Sequence, residues 1–172
     1  LREYQPTRGQ IYDRHGELLY ESRSADGGRT SWMSADQLPP ALVDATIEKY
    51  GRLDFLINNA GWTTSIDHPD LDGLTDEIFQ KTFDVNVFGT WWLTKYAIPH
   101  LRESDDANIV NITSIAGVRP VGSSIAYSMT KAALNQMTLL LAKSYGPIRV
   151  NAVAPGLVAT RWTADWDAMH AA

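Results

Sequence analysis

Three short apolar runs, each closed by a polar or glycine-ended turn and separated by long helical stretches, constrain this chain more than any other feature. They are "LDFLINNAG", "ANIVNITS" and "IRVNAVAPG". Apolar strands alternating with helices predict an α/β fold: a parallel, doubly wound sheet with helices on both faces. In such sheets ligands gather outside the carboxyl ends of the strands. Here those ends carry Asn58-Asn59-Ala60-Gly61, Thr113-Ser114 and Ala154-Pro155-Gly156. Parallel pairing brings the three ends to one rim, and glycine lets a backbone approach a flat ligand closely.

The segments between the runs read as helices. "ALVDATIEKYG" predicts a short helix closed by Gly51, in the position where a left-handed residue ends a helix. "TDEIFQKTFDVNVFGTWWLTKYAIPHL" predicts a long helix capped by Thr75. "AYSMTKAALNQMTLLLAKSYG" predicts a second, stopping at Gly146, and "LVATRWTADWDAMHAA" is helix-like. Residues 1–40 differ in texture, being polar, rich in Arg and Gly and weakly periodic. Within them "YDRHGELLYES" suggests a hairpin turning at His15-Gly16, and Pro39-Pro40 punctuate the entry to the first helix. The chain thus divides into an irregular segment, 1–40, and an α/β unit, 41–172.

Composition narrows the function classes. The 172 residues suffice for one domain with a real core, and the net charge of −5 argues against nucleic-acid or anionic-membrane partners. The absence of cysteine excludes disulfides, thiolate zinc sites and a thiol nucleophile, and fits a reducing, cytoplasmic setting. No apolar run reaches the roughly 18 residues of a membrane span. The four histidines, at 15, 68, 100 and 170, lack ligand spacing, so no metal site is expected.

The rim carries one pattern with chemistry in it. In "IAYSMTKAAL" Tyr127 and Lys131 stand one helical turn apart on a shared face. A free phenol titrates near ~10, and lowering that by about 3 units needs on the order of 4 kcal/mol of preference for phenolate. A lysine ammonium one turn away favours the anion, so Lys131 is expected to tune Tyr127 for proton exchange with an alcohol or carbonyl near neutral pH. Ser114 ends the second strand, and the "IAGVRPVGSSI" loop is long enough to bring its hydroxyl to the same substrate oxygen. Asn86 sits within an apolar helical stretch, where asparagine is a poor helix former. It reads as a surface residue, or else as a mark of irregular backbone or of a water site linking Lys131 to solvent.

These residues, in this order and spacing, resemble the classical short-chain dehydrogenases/reductases over about residues 41 to 172. The features are Asn58-Asn59-Ala60-Gly61, Asn86, Ser114 thirteen residues before Tyr127, Tyr127-Ser-Met-Thr-Lys131, and Pro155-Gly156 with Thr160. The resemblance implies NAD- or NADP-dependent interconversion of an alcohol and a ketone, similar to a 3-oxoacyl reductase. It implies Tyr127 as acid/base, Ser114 as holder of the substrate oxygen, Lys131 as tyrosine tuner and ribose ligand, and Asn86 as proton-relay residue. Asn59, Ala60 and Gly61 would run along the cofactor, and Pro155, Gly156, Val158 and Thr160 would lie by the nicotinamide. It also implies a homo-oligomer packed through the two long helices, where Trp91-Trp92 could serve. The family's Gly-x-x-x-Gly-x-Gly turn, which seats a pyrophosphate on a helix N-terminus, has no counterpart among the twelve glycines.

Within residues 1–47, "RGQIYDRHGELLYESRS" followed by "DQLPPALVDA" from Asp36 to Ala45 resembles instead a stretch of class A penicillin-binding proteins just before their glycosyltransferase glutamate. That match breaks off near Thr46-Ile47, and Glu48-Lys49-Tyr50-Gly51 does not supply the glutamate motif. The chain therefore reads as a chimera or fragment, with an inert α/β chain and a cell-wall glycan-handling protein as the alternatives to an oxidoreductase. The strand "DFLINN" is expected to have an exposed edge, which the N-terminal residues could cover.

Overall fold

In a computed structural model the described residues are 10–12, 18–21 and 38–158. A hairpin of β1 (Gln10–Tyr12) and β2 (Leu18–Glu21) precedes α1 (Leu38–Tyr50) and β3 (Phe55–Asn58). Next come α2 (Asp76–Phe83), a π-helical turn (Asp84–Phe88) and α3 (Gly89–Leu101). The described residues close with β4 (Asn108–Ile112), a 3-10 turn (Ile115–Gly117), α4 (Ile125–Ser144) and β5 (Arg149–Val153). No helix among the described residues is long and apolar enough to cross a membrane.

The three runs form the parallel sheet that the alternation predicts, in the order β3-β4-β5. The register places Leu56 beside Ile109 and Ile109 beside Val150, so three apolar side chains cross the sheet in one row. Helices α1, α3 and α4 bring Val43, Leu101 and Leu141 onto that row to make the buried core. Strand side chains alternate between faces, so the intervening residues point away from the core. Phe55, Ile57 and Val153 are accordingly exposed, at 56%, 63% and 51%. The described helices thus cover one face of the sheet and leave the other open.

Capping follows the sequence closely. Gly51 takes φ +72° and its N–H returns to the Ile47 carbonyl at 2.8 Å, closing α1 as expected. Thr75 caps α2 by accepting from the Ile78 N–H, and Ser124 caps α4 by accepting from the Tyr127 N–H at 3.2 Å. Helix α4 ends at Ser144, before Gly146, which shows no left-handed φ.

One expectation changes. The hairpin is antiparallel, but its strands pair with each other in a separate sheet and so do not cover the edge of β3. Its turn at His15-Gly16 lies outside the described residues. The long helix expected after Thr75 runs through α2, the π turn and α3 without a break, and the irregular backbone read at Asn86 is that turn. There the Gly89 N–H reaches the Asp84 carbonyl five residues back. The helix expected after Leu157 lies outside the described residues.

Candidate active site

The site lies where β3, β4 and β5 end, and it grows out of the covered face of the sheet. Two residues beyond the apolar row, Asn58 of β3 stands beside Asn111 of β4. Asn58 Nδ2 donates to Asn111 Oδ1 at 2.8 Å and to Thr94 Oγ1 at 3.1 Å, and Asn111 Nδ2 donates to Thr138 Oγ1 at 2.8 Å. This buried polar seam ties the strand ends to α3 and α4. Asn58 Oδ1 is buried with no partner. Sequence reasoning placed Asn58 in a turn and missed the seam, because its members are 27 to 53 residues apart. The available signal was polar residues at the inward positions of an apolar strand.

Beyond the seam the predicted residues converge. Ser114 follows β4 in extended backbone and opens the 3-10 turn, its Oγ accepting from the Ala116 N–H at 3.1 Å. The same hydroxyl lies near the Tyr127 phenol and favours its ionised form. Close packing of the turn on α4 makes this meeting possible. A Cβ at Gly117 would fall 2.6 Å from the Lys131 carbonyl carbon and 2.8 Å from Ala132 N.

Lys131 is only 4% exposed. Its Nζ donates to the Ile112 carbonyl at 2.9 Å and lies 5.5 Å from the centre of the Tyr127 ring. Burial pushes its pKa down to about 8. The expected lowering of Tyr127 is not what the structure shows. Burial pushes the phenol above its ordinary value, and the nearby Ser114 hydroxyl acts in the opposite direction. The physical reason is desolvation, which disfavours phenolate and ammonium alike.

Asn86 is fully buried, which corrects the surface reading. Its Oδ1 accepts from the Trp62 N–H at 2.7 Å, and its Nδ2 donates to the Trp62 carbonyl at 2.9 Å and to Thr130 Oγ1 at 3.0 Å. The Thr130 hydroxyl donates to the Tyr127 carbonyl at 2.7 Å. Asn86 therefore clamps the loop after β3 to α4, and Thr90 Oγ1 donates to its carbonyl at 2.9 Å. The clamp holds Gly61 over the lysine, where an added Cβ would lie 3.6 Å from Asn86 Oδ1 and 3.7 Å from Lys131 Nζ.

Asn59, Ala60 and Gly61 are exposed at the end of β3. Pro155 and Gly156 stand at the end of β5, the Pro155 carbonyl accepting from the Ile115 N–H at 3.1 Å. Val158 is exposed next to them, and Thr160 lies outside the described residues. Ser114, Tyr127, Lys131, Asn86 and Gly61 thus surround one small region of the rim, with the β5 end beside it.

A cofactor can be tested against this geometry. Lys131 carries three ammonium hydrogens, and its hydrogen bond to Ile112 uses one. A buried, partly satisfied ammonium beneath a side-chain-free glycine suits a vicinal diol such as a ribose. The residues present fit a ribose of a dinucleotide.

Comparison with known proteins follows the same lines. The family profile of the short chain dehydrogenases matches residues 17–171, beginning within the N-terminal segment set apart above. The chain is 50% identical over 127 residues to a granaticin polyketide synthase ketoacyl reductase of Streptomyces violaceoruber, covering 73% of this chain and 51% of that protein. It is 38% identical over 133 residues to L-fucose dehydrogenase of Bos taurus, covering 76% and 47%. Among solved structures it is similar to ElxO with NADP bound, with a TM-score of 0.69 and 33% identity, covering 78% and 55%. The chain spans about half the length of the curated relatives it matches. These matches lend no support to the penicillin-binding-protein resemblance.

Proposed function

The chain belongs to the short chain dehydrogenase family, and from that premise we propose that it interconverts a secondary alcohol and a ketone with NAD or NADP, in the manner of a 3-oxoacyl reductase. The observation that carries this reading is the Ser114 hydroxyl near the Tyr127 phenol beside a buried lysine. The 50% identity to a ketoacyl reductase supports the same direction.

When bound, the dinucleotide supplies or accepts the hydride. The chain's own residues do the rest. Ser114 holds the substrate oxygen by a hydrogen bond that strengthens as negative charge develops there. Tyr127 exchanges the proton at that oxygen. A phenol with an ordinary value near ~10 is protonated at neutral pH, so Tyr127 can give its proton to the substrate oxygen in ketone reduction. Lys131 offers its remaining donors to the ribose hydroxyls. Asn86 acts as a positioning residue that fixes Trp62 and Gly61, in addition to any part in proton relay. Asn59, Ala60 and Gly61 border the cofactor on one side, and Pro155, Gly156, Val158 and Thr160 on the other.

Exposed Phe88, Trp91 and Tyr96 around α3, and Met129, Leu139 and Leu140 on α4, support association of copies through these helices. The missing Gly-x-x-x-Gly-x-Gly spacing favours one second reading, an α/β chain that binds the dinucleotide too weakly to turn over. Titration of the full chain with NADH and NADPH, followed by cofactor fluorescence, separates the two. Saturation at micromolar cofactor is expected, and no binding at millimolar cofactor leaves the second reading. Tyr127→Phe is expected to lower ketone reduction about 1,000-fold, within the range for loss of a general acid, and to leave cofactor binding intact. Unchanged reduction would remove Tyr127 from the chemistry.

A further inference from the structure

The surroundings of the Ser114–Tyr127 pair carry information about the substrate beyond its reacting carbon. Three aliphatic side chains project into solvent there, Val118, Val121 and Leu157, at 68%, 42% and 58% exposure. Their backbone places them around the pair. Val118 closes the turn opened by Ser114, its N–H bonding to the Ile115 carbonyl at 3.0 Å. Val121 precedes Gly122, where an added Cβ would lie 3.7 Å from the Tyr127 ring. Leu157 follows Gly156, where an added Cβ would lie 3.8 Å from Ile115 Cδ1.

Several polar side chains of the same neighbourhood are already engaged with protein atoms. Thr63 and Ser123 pair through their hydroxyls at 2.6 Å. Ser128 Oγ bonds to the Val121 carbonyl at 2.9 Å and the Ser124 carbonyl at 3.1 Å. His68 Nε2 bonds to the Gly122 carbonyl at 3.0 Å. Arg119 is the one charged residue between Ile115 and Ser124. A polyhydroxylated ligand needs donors and acceptors to replace those it loses from water, and leaving them unpaired is costly. An apolar ligand gains from covering exposed aliphatic surface.

We propose that the substrate body next to the reacting carbon is apolar and seats on the lip formed by Val118, Val121 and Leu157, so that the site selects acyl-chain or carbocyclic ketones over sugars. This rests on the alcohol–ketone reading above. It separates the two kinds of relative already described, a ketoacyl reductase and a sugar dehydrogenase.

Saturation-transfer NMR and calorimetry on the full chain, using 2-decalone and L-fucose as probes with NADPH present and absent, test the proposal. The expected result is 2-decalone binding at least tenfold more tightly than L-fucose. Val118→Asn and Val121→Asn should each weaken the ketone about tenfold, about the loss of one buried aliphatic contact, and leave thermal unfolding and NADPH binding unchanged. Equal or tighter binding of L-fucose overturns the proposal, as does ketone binding indifferent to both substitutions, or binding of neither probe. The readouts also keep this inference apart from the functional reading. A ketone that binds through the lip but is not reduced leaves the lip standing and removes the oxidoreductase reading. A ketone that is reduced equally well by the lip variants does the opposite.

Discussion

The row of Leu56, Ile109 and Val150 and the row of Asn58 and Asn111 lie on one face of the same sheet, a single pleat repeat apart, yet they serve opposite ends. The first is packed by helices into an apolar core. The second spends its polar groups on each other, on Thr94 and on Thr138. A short step further along the strands, Ser114, Tyr127 and Lys131 keep polar groups that the protein uses only in part. The comparison teaches that the move from stability to chemistry here is a gradient along three strands. Each repeat toward the carboxyl end replaces dispersion by hydrogen bonds, and finally by groups left for a ligand.

The sharpest way to break this picture is at its apolar end. Leu101 is fully buried there, and Leu101→Ala is expected to cost about 3 kcal/mol through lost contacts and the cavity left behind. Urea denaturation reads that directly, and a loss under about 1 kcal/mol would mean that this end is not the stabilising one.

Lys131 probes the middle of the gradient. It titrates near 8 in the folded chain against an ordinary 10.5. Between those values the unfolded chain binds more protons, so this group makes stability rise with pH from about 8 to about 10.5, by on the order of 3 kcal/mol at most. Above about 10 the raised pKa of Tyr127 acts with the opposite sign. Urea midpoints at pH 7.5, 8.5 and 9.5 should climb in the native chain relative to Lys131→Met, and parallel curves would contradict the buried ammonium.

Gly117→Ala drives a methyl group into the backbone of α4. A loss of about 2 kcal/mol is expected for overpacking at a site that cannot give way, together with displacement of Ser114 from Tyr127. Ketone reduction should therefore fall further than stability, and an equal fall in both would make the contact merely structural. The smallest effect is expected at Arg149, whose ion pair with Asp106 at 2.9 Å is exposed on both sides. Arg149→Ala should not measurably shift the melting temperature.

Much of this was legible in the sequence because it depends on local signals. Apolar runs between turn residues marked β3, β4 and β5, Thr75 and Gly51 marked helix ends, and the Ser114, Tyr127 and Lys131 spacing marked the site. What escaped depends on distance or on burial. The Asn58–Asn111–Thr138 seam joins residues from separate elements, and no local pattern announces it. The direction of the Tyr127 shift escaped because spacing reveals a neighbouring charge but not the loss of water that outweighs it. Which face the described helices cover escaped because the alternation of a strand shows that both sides are apolar without showing which has these helices upon it.

The π turn at Asp84–Phe88 has a geometric effect that reaches past its own residues. One additional residue in a turn offsets everything downstream by about 100° around the axis, since an α-helix advances 3.6 residues per revolution. Helices α2 and α3 are therefore one rod with two angular phases, and a single helical wheel drawn through both would assign the wrong sides to α3. Deleting one residue of the turn other than Asn86 would bring the halves back into step and, in doing so, swing Asn86 off Trp62 and loosen the loop that carries Gly61.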